Sequence, residues 1–213
     1  YPINVFHIDA PQCGDIDHHH GEQFRKKKRN IAYWAWELPE FPDHWIRYFD
    51  YFDEVWTPSN FVRDAIAIKS PLPVLTIPHC IDFEIPEHTQ RAKFGLPEDQ
   101  FLFLFAYDLN SYQERKNPMA IIRAFKMAFA GSAGNNVGLV IETHSIQQNL
   151  ESFHLLKKEL AGIDNVHLID KRLPRKDVYS LMHSVDSYVS LHRSEGFGLT
   201  VAESMFLEKP VIS

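Results

Sequence analysis

Short apolar runs and amphipathic stretches alternate along the second half of the chain. From about Asp82 onward, runs rich in valine, isoleucine, leucine and phenylalanine are separated by amphipathic stretches. This alternation is typical of βαβ units and predicts a parallel sheet. Strands are predicted at residues 101–107, 138–142, 166–169, 187–191 and 210–213. Helices are predicted between them at residues 117–130, 150–161, 175–183 and 198–207.

The N-terminal part of the chain shows the same alternation less regularly. Strands are predicted at residues 3–8, 31–34, 54–57 and 74–77, and helices at residues 22–29, 43–52 and 60–68. Prolines and charges between the two halves indicate a linker with a short helix. The pattern therefore predicts an α/β chain with two Rossmann-like halves, residues 1–80 and 100–213, joined by the linker 81–99.

The composition is that of an ordinary globular protein, with 45% hydrophobic and 23% charged residues. A net charge of −6 argues against a nucleic-acid partner. The two cysteines, Cys13 and Cys80, stand without a secretory leader and favour a reducing cytoplasm over a disulfide framework. No apolar run approaches the roughly 18 residues of a membrane-spanning helix. Peripheral attachment at the inner face of the membrane stays open.

Two polar clusters each allow two interpretations. Residues 15–20, DIDHHH, have the side chains of metal ligands, but consecutive histidines do not converge on one ion, so a polar loop is favoured. Residues 25–29, RKKKR, concentrate five positive charges that an anionic membrane surface would attract. A solvated helix face is the favoured interpretation of this second cluster.

The closing stretch of the chain combines a glycine-rich loop with two glutamates. A predicted strand ends at Leu191, and a helix is predicted to open at Gly198. The free N–H groups of such a helix start and its dipole favour a phosphate, and Gly196 and Gly198 permit close backbone approach. Glu195 and Glu203 stand eight positions apart and are therefore able to touch different parts of one extended ligand.

A second group of charged residues follows the strand predicted at residues 101–107. Arg115 and Lys116 come just before a helix with Pro118 in its first turn. A guanidinium and an ammonium beside a helix N-terminus suit a diphosphate leaving group, because the developing negative charge needs fixed cations. The alternative is that the two basic residues are simply solvated.

The string SEGFGLTVAESMFLEKPVI, residues 194–212, resembles the E-x7-E segment of retaining glycosyltransferases of the GT-B fold, in particular the large bacterial group called glycosyltransferase family 4. The resemblance implies two Rossmann-like domains that face each other across a cleft, both incomplete here. It also implies transfer of a sugar, with retention of configuration, from a UDP- or GDP-linked donor to a glycan or lipid-linked acceptor. Family members are longer at both ends, so we expect this chain to be an interior portion that transfers no sugar by itself.

The same resemblance implies roles for individual residues. Glu195 is expected at the donor sugar and Glu203 at the ribose hydroxyls. Arg115 and Lys116 are similar to the basic pair that family members place over the donor diphosphate, where they stabilise the departing group. The rest of the implied donor-binding set is Gly196, Phe197, Gly198, Leu199 and Thr200. Because cationic side chains carry the charge compensation, no metal and no other cofactor is expected.

The acceptor side is expected in residues 30–66. This segment is dense in aromatic residues, which by itself favours a hydrophobic core: Tyr33, Trp34, Trp36, Phe41 and Trp45. It is also similar to the first-domain segment of the same glycosyltransferases, which implies that Trp36 and Glu37 lie near the acceptor. His7, at the end of the first predicted strand, is the candidate for the catalytic histidine that some members carry in the first domain.

Two other functions remain open from the sequence. A GT-B-fold nucleotide-sugar 2-epimerase would share the diphosphate site but pass no sugar to an acceptor. A nucleotide-sugar-binding module without catalysis would bind UDP or GDP and turn over nothing. The combination of the two glutamates with Arg115 and Lys116 favours the transferase over both.

Overall fold

Two parallel sheets form from the alternating strands and helices in the computed structural model of the chain, and the α/β prediction is thereby confirmed. The structure describes residues 1–88, 90–129 and 136–213. Ala130, the last residue of the predicted helix 117–130, and Thr89 of the predicted linker lie outside the described residues. The chain divides into a first unit, Tyr1–Cys80 with Ser194–Gly198, and a second unit, Ile81–Arg193 with Leu199–Ser213.

The first unit contains a four-stranded parallel sheet in the order β1-β2-β3-β4. Its strands are β1 (Ile3–Phe6), β2 (Arg29–Tyr33), β3 (Glu54–Thr57) and β4 (Val74–Thr76). Its α-helices are α1 (Ile16–His20) and α2 (Asn60–Ala67), and 3₁₀ helices cover Ala10–Asp15, Glu22–Phe24 and Asp43–Tyr51. Ser59 caps α2, because its hydroxyl accepts a hydrogen bond from the Val62 N–H at 3.3 Å.

Three predictions between residues 22 and 52 were wrong. The helix predicted at residues 22–29 is only the 3₁₀ turn Glu22–Phe24, because Lys27 adopts the left-handed region with a φ of 59° and Arg29 already pairs with Ile3 in the sheet. The basic cluster 25–29 is therefore no helix face. The segment 43–52 is a 3₁₀ helix rather than an α-helix.

The histidine cluster is helical rather than a polar loop. Its first residue, Ile16, is 4% exposed and belongs to the apolar core, so burial of this side chain fixes the turn that follows. His18, His19 and His20 stay near or at the surface in α1. Among the described residues, no group of three or more His, Cys, Asp or Glu side chains has an arrangement that could hold a metal ion.

The second unit contains a five-stranded parallel sheet in the order β7-β6-β5-β8-β9. Its strands are β5 (Phe101–Asp108), β6 (Val137–His144), β7 (Val166–Ile169), β8 (Ser187–Val189) and β9 (Val211–Ile212). Its helices are α3 (Gln113–Lys116), α4 (Pro118–Phe129), α5 (Leu150–Leu160), α6 (Arg175–Ser184) and α7 (Leu199–Phe206). All predicted strands and helices of this half are confirmed to within two residues, and α3 is an addition.

Alternate residues of β5 pack into two different cores, as expected for a central strand with both faces covered. Leu102, Leu104 and Ala106 pack on one face with Leu181 of α6 and Leu207 after α7. Phe103, Phe105 and Tyr107 pack on the other face with residues of α4 and α5. This alternation sets the direction of the polar residues that follow at the strand ends.

Arg91 anchors the linker between the two sheets to the second unit. The Arg91 guanidinium is an ion-pair partner of Asp186 at 2.8 Å and donates to the carbonyl oxygens of Ser184 and Gln100. It lies in the 3₁₀ helix Arg91–Phe94, which is the short helix expected in the linker. No helix in the described part of the chain is long and apolar enough to cross a membrane.

Candidate active site

A cavity of about 410 Å³ lies at the carboxyl ends of β5 and β6 in the second unit. We call it the sheet-edge cavity. The strand order reverses at β5, since β6 lies on one side of it and β8 on the other, and ligands of open parallel sheets bind at such a switch point. The acidic, basic and imidazole side chains that line the cavity are Asp108, Lys116, Glu142, His144, Arg172 and Arg175.

Three cations face the sheet-edge cavity from different elements. Lys116 is the last residue of α3, Arg172 follows β7, and Arg175 is the first residue of α6. Asn117, with a φ of 52°, turns the chain between Lys116 and the start of α4 at Pro118. Arg115 does not line the cavity. Its carbonyl oxygen accepts a hydrogen bond from the Arg193 N–H at 2.8 Å. The cavity therefore offers several positive charges to an anionic ligand.

The first turn of α7 also borders the sheet-edge cavity. Thr200 lines it, and the Tyr188 hydroxyl of β8 donates to Thr200 Oγ1 at 2.9 Å. Gly198, just before the helix, has a φ of 77°, which a side chain would strain. The helix itself begins at Leu199, one residue later than the sequence predicted.

Glu203 lies inside α7 and is only 2% exposed. Its Oε1 accepts a hydrogen bond from the Arg175 guanidinium, which also donates to the Tyr179 hydroxyl at 2.9 Å. Burial raises the pKa of the Glu203 carboxyl, while Arg175 and Tyr179 lower it. Oε2 is buried and makes no hydrogen bond of normal geometry within the described residues. Such an unsatisfied acceptor is costly unless a ligand supplies a donor.

Asp108, Glu142 and His144 form an acidic group with an imidazole on the floor of the sheet-edge cavity. Glu142 Oε1 lies 3.6 Å from His144 Nδ1, and Asp108 Oδ2 lies 3.6 Å from His144 Nε2. Glu142 is 6% exposed. Burial, with a smaller contribution from Asp108, raises the pKa of Glu142 to about 7.

The segment Ser194–Gly198, which contains Glu195, belongs to the first unit and contacts other residues of that unit. The Ser194 hydroxyl donates to the Glu37 carbonyl oxygen, and the Ser59 hydroxyl donates to the Gly196 carbonyl oxygen. The Phe197 ring lies edge-on to His79 with centroids 5.0 Å apart. Glu195 is partly exposed within this segment.

Gly196 of this segment has no room for a side chain. A Cβ there would lie 2.8 Å from the backbone oxygen of Trp36, a contact that requires the backbone to move. We expect Gly196→Ala to lower the free energy of unfolding by about 1–3 kcal/mol, the usual cost of overpacking. Chemical denaturation followed by circular dichroism measures this change. Gly14→Ala is the matched control in the same unit, because its nearest contact is an ordinary 3.6 Å; equal effects of the two substitutions would contradict the expectation.

His7 lies in a ring cluster at the carboxyl ends of the first sheet. Its ring centroid is 4.6 Å from that of Tyr33 and 5.9 Å from that of His79. The Tyr33 hydroxyl donates to the Ile77 carbonyl oxygen at 2.7 Å. Burial, and then the nearby His7, lower the pKa of His79. Sequence reasoning named His7 but missed His79, which follows the last strand of this sheet.

The aromatic segment of the first unit is mainly core. Trp34 and Phe41 are buried with Phe49 and Phe52. Trp36 and Trp45 are partly buried against them, and the Trp36 indole N–H donates to the Glu40 carbonyl oxygen at 2.9 Å. The interpretation of these aromatic residues as a hydrophobic core is confirmed. The location of Trp36 and Glu37 near the acceptor stays a prediction.

The family model described as "Glycosyl transferases group 1" matches residues 86–213, more than half of the chain. The chain belongs to this family. No curated protein sequence matches the chain significantly.

Solved structures of glycosyltransferases share the fold of this family member. The crystal structure of TarM matches with a TM-score of 0.67 and 15% identity over 98% of this chain and 40% of that chain. Anabaena Alr3699/HepE, in complex with UDP and glucose, matches with a TM-score of 0.69 and 15% identity over 99% and 58%. Apo OtsA matches with a TM-score of 0.68 and 12% identity over 96% and 55%. The chain thus has the parallel-sheet α/β architecture of GT-B glycosyltransferases and spans about half the length of these proteins.

Several cavity residues of this glycosyltransferase group 1 chain were not singled out from the sequence. Glu142, His144 and Asp108 come from strand ends, and Arg172 and Arg175 from the region after β7. The available signal was their position directly after apolar runs, since the carboxyl ends of parallel strands meet at one edge of a sheet. Their convergence required the strand order, which the alternation pattern does not contain.

Proposed function

We propose that the protein transfers a sugar from a UDP- or GDP-linked donor to a glycan or lipid-linked acceptor, with retention of the anomeric configuration. The observation that carries the proposal is the sheet-edge cavity of a glycosyltransferase group 1 chain, lined by Lys116, Arg172 and Arg175 at the switch point of a parallel sheet. Its volume lies in the range of small-molecule sites. The complex of the structurally similar HepE with UDP and glucose supports a nucleotide-sugar donor.

In this proposal, the diphosphate of the donor lies among the cations of the sheet-edge cavity. Lys116 stabilises the departing diphosphate from the cavity lining, and Arg115, which does not line the cavity, is assigned the same role on the strength of the resemblance. The N–H groups of Gly198, Leu199 and Thr200 bind the phosphates. Arg172 and Arg175 add positive charge that sequence reasoning had not included. Charge compensation is thus assigned to side chains and backbone dipoles rather than to a metal ion or another cofactor.

The two glutamates act on different parts of the donor in this proposal. Glu195, with Gly196 and Phe197 beside it, orients the donor sugar. Glu203 accepts hydrogen bonds from the ribose hydroxyls, and its buried Oε2, which lacks a hydrogen bond of normal geometry in the described residues, is the atom suited to this role. Its Oε1 stays with Arg175, which holds the carboxylate in place.

Glu203→Ala is expected to weaken nucleotide binding by about 1.5–3 kcal/mol, the range for hydrogen bonds to a charged group. The dissociation constant for a UDP or GDP nucleotide, measured by calorimetry on the full-length protein, checks this. Glu159→Ala serves as the control, because Glu159 is an exposed residue of α5. An unchanged dissociation constant in Glu203→Ala would remove ribose recognition from this residue.

The acceptor side is assigned to the first unit. The ring cluster of His7, Tyr33 and His79 lies at the carboxyl ends of its strands, where a titratable group suits activation of an acceptor hydroxyl. Trp36 and Glu37 are proposed near the acceptor on the strength of the resemblance. The exposed Lys26 and Lys27 are compatible with peripheral contact to the inner face of an anionic membrane in the cytoplasm.

The proposal is tested with the full-length protein and a panel of nucleotide sugars. Thermal shift identifies the donor, and product analysis then asks whether its sugar reaches an acceptor. Transfer with retention supports the proposal. Isomerisation of the donor at C2 without transfer identifies an epimerase, and binding without turnover identifies a binding module; either result overturns the transferase assignment.

A further inference from the structure

Glu142 is the most deeply buried acidic group that lines the sheet-edge cavity. Glu142 stands two residues after Val140 on β6. Because side chains alternate between the faces of a strand, the Glu142 side chain points to the same face as Val140, the face that packs on α6. Its partner in the sheet register is Ala106 of β5, whose small side chain leaves space beside it. The carboxyl group therefore borders the cavity while only 6% of the residue is exposed.

The Glu142 carboxyl has no protein group that satisfies it. Within the part of the chain that the structure describes, it accepts no hydrogen bond, and its neighbour His144 Nδ1 lies at an ion-pair distance of 3.6 Å. The carboxyl lines the sheet-edge cavity, so its capacity for hydrogen bonds is directed into that space. The partner of Glu142 is therefore to be sought in the cavity.

Charged groups of both signs surround this carboxyl. Asp108 of β5 and His144 of β6 lie near the ends of their strands and are direct partners in the sheet register. Lys116 from α3, Arg172 after β7 and Arg175 from α6 line the same cavity. The three cations suit an anionic ligand, whereas an ionised Glu142 would repel one.

We propose that Glu142 binds the nucleotide-sugar donor as a neutral carboxylic acid, donating its O–H to an oxygen of the diphosphate, so that donor binding takes up a proton wherever the carboxyl of the free protein is ionised. The proton comes from solvent to the Glu142 carboxylate, and no other bond is made or broken. This inference rests on the proposed function, because it takes a nucleotide diphosphate as the ligand.

The acid–base properties of Glu142 agree with this role. Burial and the nearby Asp108 raise its pKa to about 7, so the neutral form is well populated near neutral pH before any ligand arrives. An anionic ligand stabilises the neutral form further. A carboxylic acid kept neutral by its surroundings is an established way to place a hydrogen-bond donor in a site. Asp108 is less suited, since its Oδ1 already accepts the Asn110 N–H at 3.0 Å.

The test is a calorimetric titration of the full-length protein with UDP-glucose and with GDP-mannose between pH 6 and pH 8. These sugar-capped diphosphates have no phosphate group that titrates in this range, unlike free nucleoside diphosphates. If only the neutral form of Glu142 binds, the dissociation constant rises about tenfold from pH 6 to pH 8 for a pKa of about 7. Titrations in two buffers with different ionisation enthalpies measure the proton uptake directly.

Three variants separate Glu142 from its neighbours. Glu142→Gln keeps a donor at every pH and is expected to bind with a dissociation constant that no longer changes between pH 6 and pH 8. Asp108→Asn retains the oxygen that accepts the Asn110 N–H but removes the charge, so the midpoint of the dependence is expected to move to lower pH. His144→Gln is expected to retain the dependence, since the imidazole is not its source.

The result that would overturn the proposal is a wild-type dissociation constant that stays the same from pH 6 to pH 8. A pH dependence that persists in Glu142→Gln and disappears in His144→Gln would overturn it as well. Failure of the wild-type protein to bind any nucleotide sugar at any pH refutes the proposed function itself, and this inference with it.

Discussion

Lys116→Ala is expected to lower kcat of the proposed sugar transfer by the full-length protein by roughly 10²–10³-fold, the usual effect of removing one group that stabilises developing negative charge. Lys116 ends α3 and lines the sheet-edge cavity, where we propose that its ammonium stabilises the leaving diphosphate. Because the charge on the leaving group is greatest in the transition state, KM for the donor should rise much less. Steady-state kinetics with a saturating acceptor measures both constants.

The matched control for this variant is Lys126→Ala. Lys126 lies in α4, close in sequence, but donates to the Glu159 carbonyl oxygen and does not line the cavity. It should retain wild-type kcat. Arg115→Ala is expected to lower kcat, as Lys116→Ala does. If only KM moved in the two variants, these residues would be ground-state binding groups rather than stabilisers of the departing diphosphate.

Trp34→Ala is expected to cost about 3–5 kcal/mol in the free energy of unfolding, the range for removing a large aromatic side chain from a core. Trp34 is 0% exposed and packs against Phe41, Phe49 and Phe52, with ring centroids 5.1 to 5.7 Å apart. Urea denaturation of the full-length protein, followed by far-ultraviolet circular dichroism, gives this value.

Trp34→Phe is the companion variant, since it keeps a ring in the stack and should lose well under half as much stability. Trp36→Ala should also cost less than Trp34→Ala, because Trp36 is only partly buried. A Trp34→Ala protein that unfolds at the wild-type urea concentration would contradict the assignment of this tryptophan to the core.

The sequence pattern was sufficient to predict the strands and helices of the second unit, because its central strand is covered on both faces. β5 is apolar from Phe101 to Tyr107, and such a run is distinctive and bounded by helices of clear periodicity. The first unit was harder to predict. There the charged run 25–29 resembles a helix face. Yet Arg25 pairs with Asp17 at 2.5 Å, eight residues earlier, and Arg29 pairs with Glu54, 25 residues later, and these contacts override local propensity.

The candidate site was predictable only where its residues are close together in sequence. The glycines before α7 and the two basic residues before α4 could be singled out because helix starts bind phosphate. The pairing of Arg175 with Glu203 could not, since the two residues lie on different helices and are 28 positions apart in the chain. The same holds for Asp108 and His144, which become neighbours only through the register of β5 and β6.

The most direct test of the account is a proton NMR time course of the full-length protein with its nucleotide-sugar donor and an acceptor. The donor is the one selected by thermal shift from the nucleotide-sugar panel. The account predicts release of the nucleoside diphosphate and a new anomeric signal with the same configuration as the donor sugar, and both should slow together in Lys116→Ala. A product of inverted configuration, a C2 epimer, or a donor that stays intact would contradict it.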